Sequence, residues 1–245
     1  VKGHALLIDP APTLRTERDD YYGNRVVMFD IEQEHTELIV HAKSTISVTP
    51  PAPIDLEQGM AWDAVVERIS QTPPPVDLSV IGYACASKHT HADAEIRDYA
   101  QRSCAEGRPV LKVAWDLITR IYDDFKFDAT ATDVSTPVSQ VLRQRRGVCQ
   151  DFSHLALPCL HALHLPARYV SGYILTSPPP GGVKLAGADA SHAWISVWSP
   201  EHGWVDFDPT NGLMPKDEHI AIWPPPWTLQ EPCHGPHRLG RRLQS

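Results

Sequence analysis

The hydrophobic period changes twice along this 245-residue chain, which restricts the folds open to it. From Ala5 to Thr49 the apolar residues fall in β-branched runs with partial alternation, HALLID, YYGNRVVMFDI and TELIVHAKSTISV. A step of two is the mark of strands, and Gly23-Asn24 inside the second run is a turn signal. From about Asp93 the step lengthens to three and four. Val110, Val113, Ala114, Leu117, Ile118, Ile121 and Phe125 would line one face of a helix, with Pro109 suited to its first turn. Phe152, Leu155, Ala156, Cys159, Leu160 and Leu163 repeat the pattern. Pro158 interrupts it, and a proline without an N–H predicts a bend there. Beyond Pro166 strands return, as ARYVSGYIL and then SHAWISVW and WVDFDPT, the last two joined by the turn SPEHG into a hairpin. The order is that of an α+β protein.

Prolines punctuate this order. Pro50-Pro51-Ala52-Pro53 closes the first block, a short helical piece spans Met60 to Ile69, and Pro73 to Pro75 form a second break. The expected organisation is a β-rich region over 1–53, a transition over 54–90, a core over 91–222 and a tail over 223–245. The tail reads WPPPW and then scattered His, Pro, Gly and Arg, with no alternation and no helical step. Its prolines cannot supply ladder N–H groups, so it is expected to be irregular. The chain starts without Met and part-way along a strand, which raises the expectation of a missing N-terminal segment.

Composition narrows the function classes. A formal charge of −8 argues against nucleic acid, whose phosphates call for concentrated Lys and Arg. No apolar run approaches the roughly 18 residues that suggest a membrane span. The five cysteines, Cys85, Cys104, Cys149, Cys159 and Cys233, are odd in number and never spaced as CxxC. That pattern favours reduced thiols over a disulfide framework or structural zinc, and no signal-peptide layout precedes them. The expected compartment is the cytoplasm.

One of the five stands apart. In RRGVCQDFSH, Gly147 precedes Cys149 by two residues and a helical pattern runs on from the thiol. A cysteine in the first helical turn sits among unbonded N–H groups at the positive end of the helix dipole. Cysteines so placed have pKa values lowered from about 8.5 to roughly 3.5–7.5. Arg145 and Arg146 would add positive charge nearby. A small buried residue that happens to start a helix is the commoner case, so a second feature is needed.

The hairpin supplies it. Pairing Trp198 with Trp204 puts Trp194 opposite Asp208 and His192 opposite Thr210, so His192 and Asp208 become diagonal neighbours about 7–8 Å apart at Cα. A histidine oriented by an aspartate can then meet a thiolate, the three parts of a Cys-His-Asp arrangement. His154 lies about 140° around the helix from Cys149 and should point away. His161 and His164 are expected to face solvent. His89 and His91 near Cys85 lack a fourth ligand at sensible spacing and read as surface histidines.

RRGVCQDFSHL, LPARYVSGY, DASHAWISVW and WVDFDPTNG together resemble the bacterial branch of the transglutaminase-like superfamily. DPAPTLRTERDDYYGN and TELIVHAKSTISV are similar to the β-rich region that commonly precedes that core. The resemblance implies a papain-like core, with a helix-borne cysteine packed on an antiparallel sheet that carries histidine and aspartate. It implies Cys149 as nucleophile, His192 as general base and acid, and Asp208 as the orienting carboxylate, with no cofactor and no metal. Two departures stand out: Pro158 behind the nucleophile, and the tail, where a further strand with a Gly-Arg-Asp-Tyr-like segment would be expected.

The expected activity is thiol-dependent acyl transfer on a peptide or protein substrate, leaning towards amide hydrolysis. Protein cross-linking and acetyl-CoA-dependent N-acetyl transfer would use the same residue types, and a non-catalytic binding module is the rival from another class. The backbone N–H of Cys149 is one expected oxyanion donor. Trp115 and Gln150 are candidates for the second, with Trp115 better explained as core or helix surface. Asp151 reads as a helix N-terminal charge.

Overall fold

The computed structural model describes residues 2–19, 25–71, 76, 78–87, 90–133, 135–175 and 191–222. The Gly23-Asn24 turn signal, the prolines at 73–75, His89, residues 177–190, Cys233 and the tail from Trp223 lie outside these residues.

The N-terminal block forms two antiparallel pairs. Strand β1 (Gly3–Asp9) pairs with β4 (Ile39–Thr45), and β2 (Leu14–Asp19) with β3 (Arg25–Asp30). None of their residues joins the main hydrophobic core, which starts at Ile54. Helix α1 (Trp62–Ile69) follows, then the short α2 (Leu78–Gly82) and α3 (Ala94–Gln101), whose N-cap Asp93 accepts the Ile96 N–H at 2.9 Å.

Helix α4 (Val110–Asp124) buries the face read from its spacing, from Val110 to Ile121. Pro109 is its N-cap rather than its first helical residue, with φ −54° and ψ 139°. Next come β5 (Lys126–Phe127), α5 (Val138–Gln144) and β6 (Arg146–Gly147), and β6 runs parallel to β5. Neither α2 nor α5 was legible in the sequence. Five and seven residues are too few for a periodic pattern to declare itself.

Helix α6 (Cys149–Ala162) is central: it packs against α3, α4 and α5 and also against β7 (Ala167–Ile174) and β8 (His192–Ser199). Leu157 and Pro158 are buried along with the expected face, so α6 is enclosed nearly all round. The helix continues through Pro158 to Ala162. Apolar contacts on every side offset the missing donor, which in isolation costs about 3 kcal/mol.

With β9 (Gly203–Phe207) and β10 (His219–Ile222), β7 and β8 form one antiparallel sheet in the order β10-β7-β8-β9. The hairpin register is the expected one, with Trp198 opposite Trp204 and Ile195 opposite Phe207. The ladder then ends, and the expected rungs Trp194–Asp208 and His192–Thr210 are not formed. Asp208 instead bridges to Leu213, and its Oδ1 accepts the N–H groups of Thr210 (2.8 Å) and Asn211 (3.2 Å). A turn closed on its own aspartate, with Pro209 unable to donate, draws the chain off the sheet at this point.

Candidate active site

The nucleophile candidate is placed by a chain of local devices. Arg145 ends α5 in the left-handed region (φ 56°), and β6 then carries the chain to Val148, the extended N-cap of α6. Asp151, in the first turn of α6, turns back on this entrance. One carboxylate oxygen, Oδ2, accepts the Val148 N–H at 2.8 Å and the Thr132 hydroxyl at 2.6 Å. Asp151 is therefore buried and structural, as its position suggested. Cys149 follows as the first helical residue and is half-buried.

Two expectations about charge near the thiol are corrected. Arg145 stacks over the rings of Phe125 (4.8 Å) and Tyr99 (5.1 Å) and pairs with Asp124 at 3.4 Å. Arg146 pairs with Asp128 at 3.7 Å. Both guanidinium groups are engaged by carboxylates of their own.

Two of the other described cysteines are of the inert kind. Burial pushes the Cys159 thiol up to about 12 and that of Cys104 up to about 11. Cys85 is half-buried, its Sγ 3.7 Å from the Ile81 carbonyl oxygen.

The structure brings His192 and Asp208 together. His192 opens β8, is buried, and donates from Nε2 to Asp208 Oδ2 at 2.9 Å. An ionised carboxylate only accepts, so the proton is on Nε2, and Nδ1 is left to face other chemistry. Burial by itself would lower the pKa of this imidazole. The Asp208 hydrogen bond and then the Cys149 side chain act against it and raise it to about 9. Burial would likewise raise Asp208, but the hydrogen bonds from His192 and His219 hold its carboxyl well below the usual range. Cys149, His192 and Asp208 thus act on one another in sequence.

His219 was not anticipated. From β10 its Nε2 reaches the same Asp208 oxygen at 3.1 Å, and the residue is buried. A lone histidine in HIAI carries no motif, and only sheet order sets it beside Asp208. Trp194 packs against both imidazoles, stacked on His192 at 6.0 Å and edge-on to His219 at 5.2 Å. Its Nε1 donates to Asp206 at 3.0 Å, which fixes the indole.

Donor atoms of His192, Asp208 and His219 all lie within 4.8 Å, close enough for a cation. Both Nε2 atoms, however, are at hydrogen-bond distance from one carboxylate oxygen, so protons take the place that a cation would need. The residues fit a hydrogen-bonded cluster better than a metal centre.

The remaining histidines divide. His154 packs on Tyr169 at 5.1 Å, and Tyr169 in turn is close enough to Cys149 and Asp151 for both to raise its hydroxyl, after burial. His161, expected at the surface, is buried. One ring nitrogen is 3.1 Å from the Thr90 hydroxyl and the other is 3.0 Å from the Ala167 carbonyl oxygen. The helix is enclosed on the side that the sequence reading assigned to solvent. His164 and His91 are exposed. Trp115 packs towards Phe207, ring centroids 6.4 Å apart, as a core residue would. Gln150 is half-buried beside Cys149.

Comparison with known proteins places these residues in context. The transglutaminase-like superfamily core matches residues 97–209, and the bacterial transglutaminase-like N-terminal region matches residues 1–47. An uncharacterised protein of Mycobacterium tuberculosis is 39% identical over 226 residues, spanning 89% of this chain and 70% of its own length. A protein-glutamine gamma-glutamyltransferase of Pseudomonas aeruginosa is 33% identical over 95 residues, 38% of this chain and 12% of that enzyme. A Cytophaga hutchinsonii crystal structure, described as that of a candidate cysteine protease, superposes with a TM-score of 0.64. It covers 91% of this chain and 69% of its own at 20% identity, a likeness of fold. Cys149, His192 and Asp208 all lie inside the matched core span, and His219 lies beyond it.

Proposed function

The chain belongs to the transglutaminase-like superfamily, and we propose that it is a thiol-dependent acyl-transfer enzyme acting on an amide of a peptide or protein. The observation that carries this reading is His192, held on one side by Asp208 at 2.9 Å and acted on by Cys149. An imidazole whose pKa is raised to about 9 is protonated at neutral pH, so it can balance a thiolate and later give up a proton.

The step follows from these positions. Cys149 Sγ attacks the carbonyl carbon, and the developing oxyanion is met by the backbone N–H of Cys149 at the start of α6. The C–N bond breaks as the leaving nitrogen takes the proton from His192 Nδ1, because Nε2 is engaged by Asp208. A thioester remains on Cys149. Water then attacks it while the now neutral His192 accepts a proton, and the thiolate is released. No metal or cofactor enters this sequence. Hydrolysis is the favoured outcome. Attack by an amine in place of water would cross-link proteins, a second reading favoured by the Pseudomonas aeruginosa gamma-glutamyltransferase among the relatives.

Alkylation with iodoacetamide, followed by intact mass and peptide mapping, tests the reading. Cys149 should react first and selectively at neutral pH, while Cys104 and Cys159, held protonated to about 11 and about 12, stay unmodified. Slow and equal labelling of all the cysteines would favour a binding module that keeps the fold without the chemistry. Incubating the enzyme with its trapped acyl group and a small primary amine then separates hydrolysis from transfer.

A further inference from the structure

Asp208 serves two imidazoles through a single oxygen. Its Oδ2 accepts from Asn211 Nδ2 (2.7 Å), His192 Nε2 (2.9 Å) and His219 Nε2 (3.1 Å), and its Oδ1 from the N–H groups of Thr210 and Asn211. An ionised carboxylate has about four acceptor sites, so five donors saturate it. Three of the five come from the turn that follows Asp208, and they hold the carboxylate in place without help from His219. Anchoring is therefore not what the second histidine adds.

The sheet is built to admit it. Gly172 of β7 lies between Ala221 of β10 and His192 of β8 in one row of the sheet. A Cβ at Gly172 would come within 2.6 Å of the Trp194 ring and 2.1 Å of the Ile220 carbonyl oxygen. Only an absent side chain lets β10 and the indole close up here, and that brings His219 within 5.9 Å of the His192 ring.

We propose that His219 is a positioning residue that acts through Asp208, drawing off part of the negative charge that the carboxylate presents to His192. The hydrogen bond from His219 competes for the same oxygen, so Asp208 stabilises the protonated His192 ring less, and the ring gives up its Nδ1 proton more easily. This inference rests on the thiol-enzyme reading above. Cys149 on α6 and Asp208 act on His192, while His219 and His192 act on Asp208. Asp206 on β9 is engaged by Trp194 Nε1, and Tyr169 on β7 faces Cys149 and Asp151.

The test is an NMR titration of the His192 ring in the full chain, run beside iodoacetamide alkylation of Cys149 over the same pH range. His219→Phe removes the donor and keeps the ring volume; His219→Gln keeps a donor. The His192 midpoint should move upward by about half a pH unit or more in His219→Phe and return towards the wild-type value in His219→Gln. Should His219→Phe fail to fold, His219→Leu carries the same readout. A midpoint that stays put or moves down, with only thermal stability altered, would assign His219 a packing role and overturn the inference. Failure of the underlying reading looks different: Cys149 in the wild type would then show no selective alkylation, whatever His219 does.

Discussion

The Asp151 carboxylate occupies the space that a side chain on Gly147 would need. An added Cβ there would lie 2.5 Å from Oδ2 and 2.9 Å from the Asp151 Cβ, closer than non-bonded atoms approach. The same oxygen holds the Val148 N–H and the Thr132 hydroxyl, so glycine, cap and first helical residue form one unit that presents Cys149.

Gly147→Ala should therefore displace Asp151 and move the start of α6. Overpacking of this kind costs about 1–3 kcal/mol. Denaturant unfolding should show a loss in that range, and iodoacetamide should modify Cys149 more slowly. Wild-type stability in this variant would mean that the carboxylate has somewhere else to go.

Asp151→Ala removes the cap without adding bulk. Loss of a charged acceptor for a helix-start N–H costs about 0.5–2 kcal/mol, and the Thr132 hydroxyl is orphaned as well. Thr132→Val should lose less, because Asp151 keeps its bond to Val148. Equal losses from the two substitutions would contradict this ranking.

Cys149→Ala should abolish acyl transfer while changing the unfolding free energy by no more than about 1 kcal/mol, since a half-buried thiol contributes little packing. Asp208→Asn should lower the rate by about 100-fold or more, because the amide can present a donor to His192 and favour the wrong tautomer. In the same variant the His192 titration should fall from about 9 towards its ordinary value of 6.5. An unmoved NMR midpoint would separate Asp208 from the imidazole.

Two buried histidines should give stability a maximum near pH 6.5. His192 has its folded pKa raised from 6.5 to about 9, so its contribution is complete below 6.5 and is lost as pH climbs to about 9. His161 is pushed the other way, from 6.5 to about 4, because burial outweighs the hydrogen bonds that it donates to its backbone partners. Its neutral form is favoured in the fold, so stability is undiminished above 6.5 and falls as pH drops to about 4. Melting temperature measured from pH 4 to pH 10 should show both limbs. His192→Gln should flatten the alkaline limb and His161→Gln the acid one.

How much of this was legible in the chain can be judged residue by residue. The period of Val110 to Ile121 gave α4, and the turn SPEHG gave the hairpin with Trp198 opposite Trp204. Such features depend on neighbours a few residues apart, and local geometry turns spacing directly into structure. The same logic brought His192 near Asp208, although the last rungs of the ladder yielded to the turn that Asp208 closes on itself.

Spacing and motif in the chain were thus enough for the element pattern, the family resemblance, and the grouping of a helix-start cysteine with a hairpin His and Asp. Tertiary structure alone decided the rest. It enclosed α6 on nearly all sides, which carried the helix through Pro158 and buried His161. It turned Arg145 and Arg146 to Asp124 and Asp128, because those carboxylates come from distant segments. And it set His219 against Asp208, since β10 returns to pair with β7 on the far side of His192, and strand order in a sheet follows from packing and not from any local period.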